Sequence, residues 1–329
     1  MKRTPSLILI STIILGLLFA GAQSAKAADN YPTKGIDIIV PVSAGGTPDV
    51  MTRLAAEWLS KYWGKPVPVI NKPGGGAIPG ALEVLNANPD GYTVCTITSQ
   101  NSSQQHGANK NPSIDVNKPT YVVRVFDVDL VLTVNANSEW TDIKAFSKWA
   151  VANPDKLVWA NTGAVSTASF STAEWYAKIG GDISKTRMMT TAGGAESATQ
   201  LAAGNCVMNF GDFLGSASMV RAGKVRYLAT SAKKRNPYFP DVPTMEENGI
   251  KGLSVGMWIG FIMPNGVPDF VVKAWDSAIQ KMIADEGFLK KLANVSGRTA
   301  YLNAADFRNL IMQECSTYTT LAEKLGVRK

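Results

Sequence analysis

Short β-branched runs alternate along the chain with longer stretches in which apolar residues recur at helical spacing. The first such unit has a β-branched run at residues 36–40 and a helical pattern over residues 47–62, which Gly64 ends. Strands and helices that alternate in this way are typical of mostly parallel sheets with helices on both faces. The sequence therefore predicts an α/β fold.

The same alternation continues to the end of the chain. Further strands are predicted at residues 67–70, 92–98, 121–125, 130–134, 157–160, 206–210, 225–231 and 253–263. Further helices are predicted at residues 80–87, 141–152, 167–179, 195–203, 214–222, 268–284, 287–294 and 304–325.

The chain leaves a first α/β block near residue 130 and returns to it near residue 252. This predicts two lobes joined by two crossover strands, with lobe 1 discontinuous over residues 28–130 and 252–329 and lobe 2 over residues 131–251. In such sheets a ligand lies outside the carboxyl ends of the strands. A cleft between the lobes is therefore the expected binding place.

The first 27 residues have the pattern of a secretory signal peptide. Lys2 and Arg3 precede an apolar run at residues 7–22, and small residues end at Ala27, the expected cleavage point. The run is shorter than the roughly 20 residues that a membrane span needs. Ala28, and not a cysteine, directly follows the cleavage point, which disfavours a lipid anchor. We expect the mature chain to lie in a periplasm.

Charge and cysteine content exclude some classes of protein. Loss of the signal peptide lowers Lys plus Arg from 33 to 30 against 26 acidic residues, and the net charge from +7 to +4. These dispersed charges do not indicate a nucleic-acid partner. Cys95, Cys206 and Cys315 are an odd count, so at least one thiol is free or paired with another molecule. Buried, inert thiols are expected for Cys95 and Cys206, although one disulfide of unassigned pairing stays possible.

A first candidate loop, with the sequence Pro-Val-Ser-Ala-Gly-Gly-Thr-Pro-Asp, spans residues 41–49. Gly45 and Gly46 let backbone N–H groups approach a ligand closely. Thr47 is the expected N-cap of the next helix, and Asp49 suits its positive end. The free N–H groups of a helix start bind carboxylates without any arginine. A simple tight turn with a capped helix stays an alternative.

A second candidate loop occupies residues 161–169, again between a strand and a helix, with Ser166 as the expected N-cap. The two loops belong to different predicted lobes. Facing each other, they would clamp the two ends of a dicarboxylate. Helix starts rich in serine and threonine are common, so this loop alone is weak evidence.

Signatures of catalysis and metal binding are scarce. His106 is the only histidine, which excludes HExxH zinc sites, and it is expected in a solvated polar loop. The chain has no GxSxG nucleophile elbow and no cysteine pair with zinc-ligand spacing. Asp127 and Asp129 are expected in a solvated link between strands, and Trp258 in the core. We expect no enzymatic activity and no cofactor.

Several segments together resemble one known family. They are residues 31–34, 36–49, 69–76, 88–94, 222–229, 240–249, 258–260 and 264–268. In this order they are similar to segments of the solute receptors of tripartite tricarboxylate transporters, also called Bug-type receptors. The resemblance covers essentially the whole mature chain.

The resemblance implies a type II periplasmic binding fold that closes on a small organic carboxylate, either a di- or tricarboxylate or an aromatic carboxylate. It also implies delivery to a membrane permease with a large and a small integral subunit, by a monomeric receptor. Ser169 stands where the family usually has histidine, and residues 190–193 replace a proline-tyrosine-lysine-glycine segment. These departures leave the identity of the carboxylate open. A secreted hydrolase and a sensory receptor are the alternative functions.

The resemblance implies which residues of the two loops bind the ligand, because they match two loops of the family, and it adds Asp212, which corresponds to a family aspartate near the cleft. Ser99 completes the expected set. The set is Ser43, Gly45, Gly46, Thr47, Asp49, Ser99, Thr162, Gly163, Ser166, Ser169 and Asp212.

Overall fold

Two β-sheets organise the protein, in a computed structural model that describes residues 30–324 and 326–328. The predicted signal peptide, residues 1–27, lies outside the described residues. The strands are β1 Asp37–Val40, β2 Val69–Asn71, β3 Thr93–Thr98, β4 Thr120–Val128, β5 Leu130–Asn135, β6 Val158–Asn161, β7 Arg187–Thr190, β8 Met208–Asp212, β9 Val225–Thr230, β10 Met257–Met263 and β11 Arg298–Asn303. The helices are α1 Thr47–Trp63, α2 Ile78–Leu85, α3 Gln105–Ala108, α4 Ile143–Ala152, α5 Thr167–Lys178, α6 Gly194–Ala202, α7 Phe213–Arg221, α8 Asp269–Ala284, α9 Glu286–Ala293 and α10 Ala304–Lys324.

The two sheets have mixed strand directions. The first has the order β11-β4-β10-β3-β1-β2, and the second has the order β7-β6-β8-β5-β9. Parallel pairing is confined to β1 with β2 and β3, and to β6 with β7 and β8. The prediction of mostly parallel sheets is therefore wrong. The chain enters the second sheet along β5 and re-enters the first along β10, and both strands run against their neighbours.

Each sheet carries helices on both faces and has its own apolar core. We call the six-stranded sheet with its helices lobe 1, and the five-stranded sheet with its helices lobe 2. In lobe 1 the apolar sides of α1, α8 and α9 cover one face, while α2 and α10 cover the other. In lobe 2, α4 and α5 cover one face of the sheet, and α6 and α7 cover the other. The predicted two-lobed α/β architecture is confirmed.

The first crossover between the lobes is almost continuous, because Asp129 alone separates β4 from β5. The expectation of a solvated link is wrong for this residue, whose side chain is 3% exposed. Its carboxylate accepts hydrogen bonds from Nε of Arg298 and Nδ2 of Asn236, both at 3.1 Å. A buried carboxylate needs such partners. Asp127 lies on β4 and pairs with Arg124.

The second crossover follows β9 and ends at β10. The predicted strand over residues 253–263 begins only at Met257. The residues before it are held by Glu174 of α5, which accepts hydrogen bonds from the backbone nitrogens of Ser254 at 2.9 Å and Val255 at 3.0 Å. The returning chain is therefore tied to lobe 2 before it joins the sheet of lobe 1.

Three elements are missed by the sequence pattern, while the other predicted elements are confirmed with ends shifted by at most four residues. Strands β7 and β11 lie at sheet edges, where partial burial leaves little apolar alternation. Residues 100–108 are polar, yet they form a π-helical turn at Gln100–Gln104 that leads into α3.

The cysteines and Trp258 lie in the core. All three cysteines are buried and free, so none of the disulfides left open by the sequence exists. Burial raises the pKa of Cys95 to about 12 and the pKa of Cys206 to about 11, which keeps these thiols protonated and inert. Trp258 is 3% exposed, as expected for a core residue, and its Nε1 donates to Oε1 of Glu314 at 2.9 Å.

Gly107 lies where α3 packs against α10, and we expect Gly107→Ala to lower the free energy of unfolding by about 1–3 kcal/mol. The added methyl group would lie 2.7 Å from the backbone nitrogen of Thr319 and 2.7 Å from the carbonyl carbon of Tyr318. This overlap outweighs the better helix propensity of alanine. Urea denaturation measures the change. The control is Gly193→Ala, whose methyl group would meet nothing within 4 Å, so equal losses would contradict the close contact.

Candidate functional site

Loop 1, residues 41–46, joins β1 to α1 at the carboxyl edge of the first sheet. Ser43 and Gly45 are exposed, and Gly46 is half-buried. Gly45 has a φ of 82°, a left-handed conformation that favours glycine. Gly46 is the N-cap of α1, and no side chain of the described residues caps this helix. Its first N–H groups are therefore left for water or a ligand.

Asp49 supports loop 1 from inside the protein, where it is 2% exposed. Its carboxylate accepts hydrogen bonds from the backbone nitrogen of Gly45 at 2.8 Å, Nε of Arg53 at 3.0 Å and Nδ2 of Asn71 at 2.8 Å. Burial alone would raise the pKa of Asp49, but these hydrogen bonds outweigh it, and the pKa is lowered. Asp49 thus stays ionised and holds the loop in position.

Thr47 has a different role from the predicted one. The expectation that it caps α1 is wrong, because Gly46 occupies the N-cap and Thr47 is the first helical residue. A threonine before Pro48 suits either position, since proline is tolerated in the first helical turn. Oγ1 of Thr47 instead donates to Oδ1 of Asp212 at 2.8 Å. Because Asp212 ends β8, this hydrogen bond joins lobe 1 to lobe 2.

Asp212 also organises its own lobe. Its Oδ1 accepts a second hydrogen bond from the backbone nitrogen of Gly215 at 2.8 Å and thereby caps α7. No donor among the described residues reaches Oδ2, and the residue is half-buried. Oδ1 of this carboxylate thus accepts two hydrogen bonds, and Oδ2 accepts none from the described residues, beside the contact between the lobes.

Loop 2, residues 162–166, joins β6 to α5 at the carboxyl edge of the second sheet. Ser166 caps α5 as predicted, accepting from the backbone nitrogen of Ser169 at 3.2 Å. Oγ of Ser169 donates to the carbonyl oxygen of Gly163 at 2.7 Å. Thr162 is exposed and Gly163 is half-buried. The two buried serines therefore shape the loop, and Thr162 is its accessible hydroxyl.

Asn161, the last residue of β6, begins the second candidate loop but was not in the predicted ligand-binding set. It is fully buried, and its Oδ1 accepts from the backbone nitrogen of Gly163 at 2.8 Å. Its Nδ2 has no acceptor among the described residues. An unpaired buried donor costs about 1–3 kcal/mol, so a water or ligand oxygen is expected to accept from it. Its place at the carboxyl end of a buried strand was the available signal.

The segment after β3 adds one contact with the second crossover and one contact between the lobes. Ser99, which follows β3, is fully buried and donates from Oγ to the carbonyl oxygen of Gly256 at 3.0 Å. Gln104 was missed, because the polar run around it was expected to be a loop. Its Oε1 accepts from Oγ1 of Thr167 at 3.0 Å, and its Nε2 donates to the hydroxyl of Tyr318 at 3.2 Å. Gln104 therefore links lobe 1 directly to the first residue of α5.

Other features of the described residues concern His106, metal sites, membrane spans and a surface cavity. His106 is half-buried on α3, so the expectation of a solvated loop is wrong. No three histidine, cysteine, aspartate or glutamate side chains in residues 30–324 and 326–328 lie close enough to hold a metal ion. Within the same residues no helix combines the length and the apolar character of a membrane span. A surface cavity of about 420 Å³ lies between α1 and α9, where Trp58 and Tyr62 line it.

Comparison with known families identifies the fold and the family. The family model described as "Tripartite tricarboxylate transporter family receptor" matches residues 51–327. The chain belongs to this family. The receptor is thus a member of a family of periplasmic solute-binding proteins, as the sequence segments predicted.

Individual relatives cover nearly the whole receptor. A Cupriavidus necator protein, the UPF0065 protein in the gbd 5′ region, is 30% identical over 97% of the receptor and 95% of its own length. The solved structure of the periplasmic binding protein BugD is 26% identical, with a TM-score of 0.80 over 91% of the receptor and 100% of its own chain. An R. palustris protein solved with adipate has a TM-score of 0.82 at 23% identity, over 90% of the receptor and 98% of its own chain. These likenesses confirm the predicted periplasmic binding fold.

Proposed function

We propose that the receptor captures a small organic carboxylate between its two lobes in the periplasm. It then delivers this solute to a membrane permease of one large and one small integral subunit. The observation that carries the proposal is the hydrogen bond between Thr47 and Asp212, which brings the start of α1 to the end of β8. A ligand beside this contact touches both lobes at once, and such bridging contacts favour the closed arrangement.

The chemistry around this contact suits an anion. The start of α1 offers N–H groups and the positive end of a helix dipole, which bind carboxylates without a cationic side chain. Ser43 and Thr162 add exposed hydroxyls, and Asn161 adds a donor without a partner among the described residues. In this proposal four buried side chains of the predicted set act as supports. They are Asp49, Ser99, Ser166 and Ser169.

The family supports a carboxylate as the solute class. The family is that of tripartite tricarboxylate transporter receptors, and the R. palustris protein of the same fold was solved with adipate. That protein shares the fold at 23% identity, so adipate serves here as a probe for the experiment. A solute-binding role of this kind requires no catalytic residue.

We also propose that the lobes pivot close to the predicted boundaries at residues 130 and 252. Asp129 accepts hydrogen bonds from Arg298 in lobe 1 and from Asn236 after β9, which supports a pivot at the first crossover. Glu174 ties Ser254 and Val255 to α5, which supports a second pivot just after them. Cleavage after Ala27 and export to the periplasm complete the proposal.

Isothermal titration calorimetry tests the proposed solute class. The protein is unfolded, dialysed and refolded to remove any co-purified solute, and is then titrated with succinate, malate, citrate, adipate and benzoate. At least one of these acids is expected to bind with a Kd in the micromolar range or below, about −8 kcal/mol. Glucose and spermidine are the neutral and cationic controls. Binding of a control with no binding of any acid would contradict the proposal.

A further inference from the structure

The free oxygen of Asp212 lies beside the proposed carboxylate site. Its partner oxygen Oδ1 is held by Thr47 and by the backbone of Gly215, so the carboxylate has a fixed position. Oδ2 has no donor among the described residues. Because Thr47 is the first residue of α1, an anion on the first N–H groups of that helix lies close to this acid. The two negative charges would repel each other.

No basic side chain from the neighbouring strand ends relieves this repulsion. The outer strands β2 and β9 are followed by basic residues, namely Lys72, which pairs with Glu83, and residues 233–235. The segments that end or follow β1, β3, β6, β7 and β8 contain no lysine, arginine or histidine; they are residues 41–49, 99–104, 161–169, 191–194 and 211–215. Their acidic residues are Asp49 and Asp212. Asp49 is paired with Arg53, so Asp212 is the acid in these segments that lacks a cation. A hydrogen-bond donor on the ligand itself would satisfy Asp212.

An independent observation also points to a ligand in this cleft. Nδ2 of Asn161 is fully buried and has no acceptor among the described residues. Asn161 ends β6, which pairs with β8 through Ala160 and Asn209, so Asn161 and Asp212 end neighbouring strands. One strand end thus offers a donor for a carboxylate oxygen, and the next offers an acceptor.

We propose that the ligand carries a hydroxyl or ammonium group on the carbon next to a carboxylate, and that this group donates to Oδ2 of Asp212. The receptor would then select 2-hydroxy or 2-amino carboxylates over unsubstituted acids. The short distance between Thr47 and Asp212 is the reason that the donor must adjoin the carboxylate. The inference rests on the proposed function, because it assumes a carboxylate at the start of α1.

Matched acids of equal carbon number test this selection. Calorimetry at neutral pH compares succinate with malate and aspartate, propionate with lactate and alanine, and adipate with 2-aminoadipate. In at least one series the substituted acid is expected to bind about tenfold tighter or more than the unsubstituted one. Malate against aspartate, and lactate against alanine, distinguish a hydroxyl from an ammonium group. Tighter binding of the unsubstituted acids in every series would overturn the inference and leave the proposed function standing, whereas no binding of any acid would overturn both.

Asp212→Asn tests the assigned partner of the donor. Asparagine keeps the size of the side chain and still caps α7, but it removes the charge. The preference for the substituted acid is expected to fall about tenfold or more. Asp142→Asn is the matched control, because Asp142 caps α4 in the same lobe and is exposed. An unchanged preference in the folded Asp212→Asn protein would overturn the inference, and the acid series on the parent protein decides it if the variant does not fold.

Discussion

Asp49→Asn is expected to lower the free energy of unfolding at pH 7 by about 2–3 kcal/mol and to weaken carboxylate binding about tenfold or more. The carboxylate of Asp49 is buried and accepts hydrogen bonds from Gly45, Arg53 and Asn71. The amide of asparagine turns one of its two acceptors into a donor, so at least one of these donors loses its partner. The hydrogen bond to Gly45 orders loop 1, and its loss would add the cost of ordering the loop to ligand binding.

The pH dependence of this effect has a definite sign. The pKa of Asp49 is lowered in the folded protein, so its stabilising contribution is fully present above the ordinary aspartate pKa of about 4. The contribution is lost as the pH falls through the folded value. The stability difference between the parent and Asp49→Asn is therefore expected to be largest near neutral pH and to shrink below about pH 4.

Urea denaturation at pH 7 and at pH 3.5 measures this difference, and calorimetry with an acid that binds the parent measures the loss of affinity. Asp142→Asn is the control, because the side chain of Asp142 is exposed and, among the described residues, accepts from the nitrogens of Lys144 and Ala145 alone. A difference that grows as the pH falls would contradict the assignment of a stabilising carboxylate to Asp49.

Glu174→Ala is expected to lower the free energy of unfolding by about 2–4 kcal/mol. Glu174 is 9% exposed and accepts from the backbone nitrogens of Ser254 and Val255 and from Oγ of Ser254 at 2.6 Å. Alanine offers no acceptor, so the buried N–H of Val255 loses its partner. The second crossover would also lose its tie to α5.

Glu196→Ala is the matched control for this variant. Glu196 also lies in lobe 2 and accepts from a backbone nitrogen, that of Ala192 at 2.7 Å, but the contact is exposed to water. Water replaces the lost acceptor there, so a loss below about 1 kcal/mol is expected. Equal losses in the two variants, measured by urea denaturation, would show that burial of the Glu174 contact contributes nothing.

The same tie affects motion between the lobes. Glu174 fixes Ser254 and Val255 to lobe 2, and β10 begins two residues later in lobe 1. Loss of the tie would lengthen the free segment between the lobes and increase the conformational entropy of the open arrangement. Glu174→Ala is therefore expected to weaken carboxylate binding as well as stability, whereas Glu196→Ala leaves binding unchanged.

The sequence alone was enough for the elements whose apolar pattern is strong. The helical spacing over residues 47–62 and the β-branched run at residues 36–40 predicted α1 and β1, since burying an amphipathic face needs only a regular period. The return of the chain near residue 252 predicted two α/β lobes, and two such sheets are present. Ser166 was predicted as an N-cap because capping depends on neighbours in the chain.

Only the tertiary structure decided the roles that depend on residues distant in the chain. Thr47 was expected to cap its own helix, but it donates to Asp212, 165 positions away. Asp129 was expected in water, but Arg298 and Asn236 bury it. A local pattern carries the preferences of neighbouring residues, whereas these contacts arise when two separately folded sheets meet. The direction of β5 and β10 was decided in the same way, because antiparallel pairing follows from where the crossovers enter each sheet.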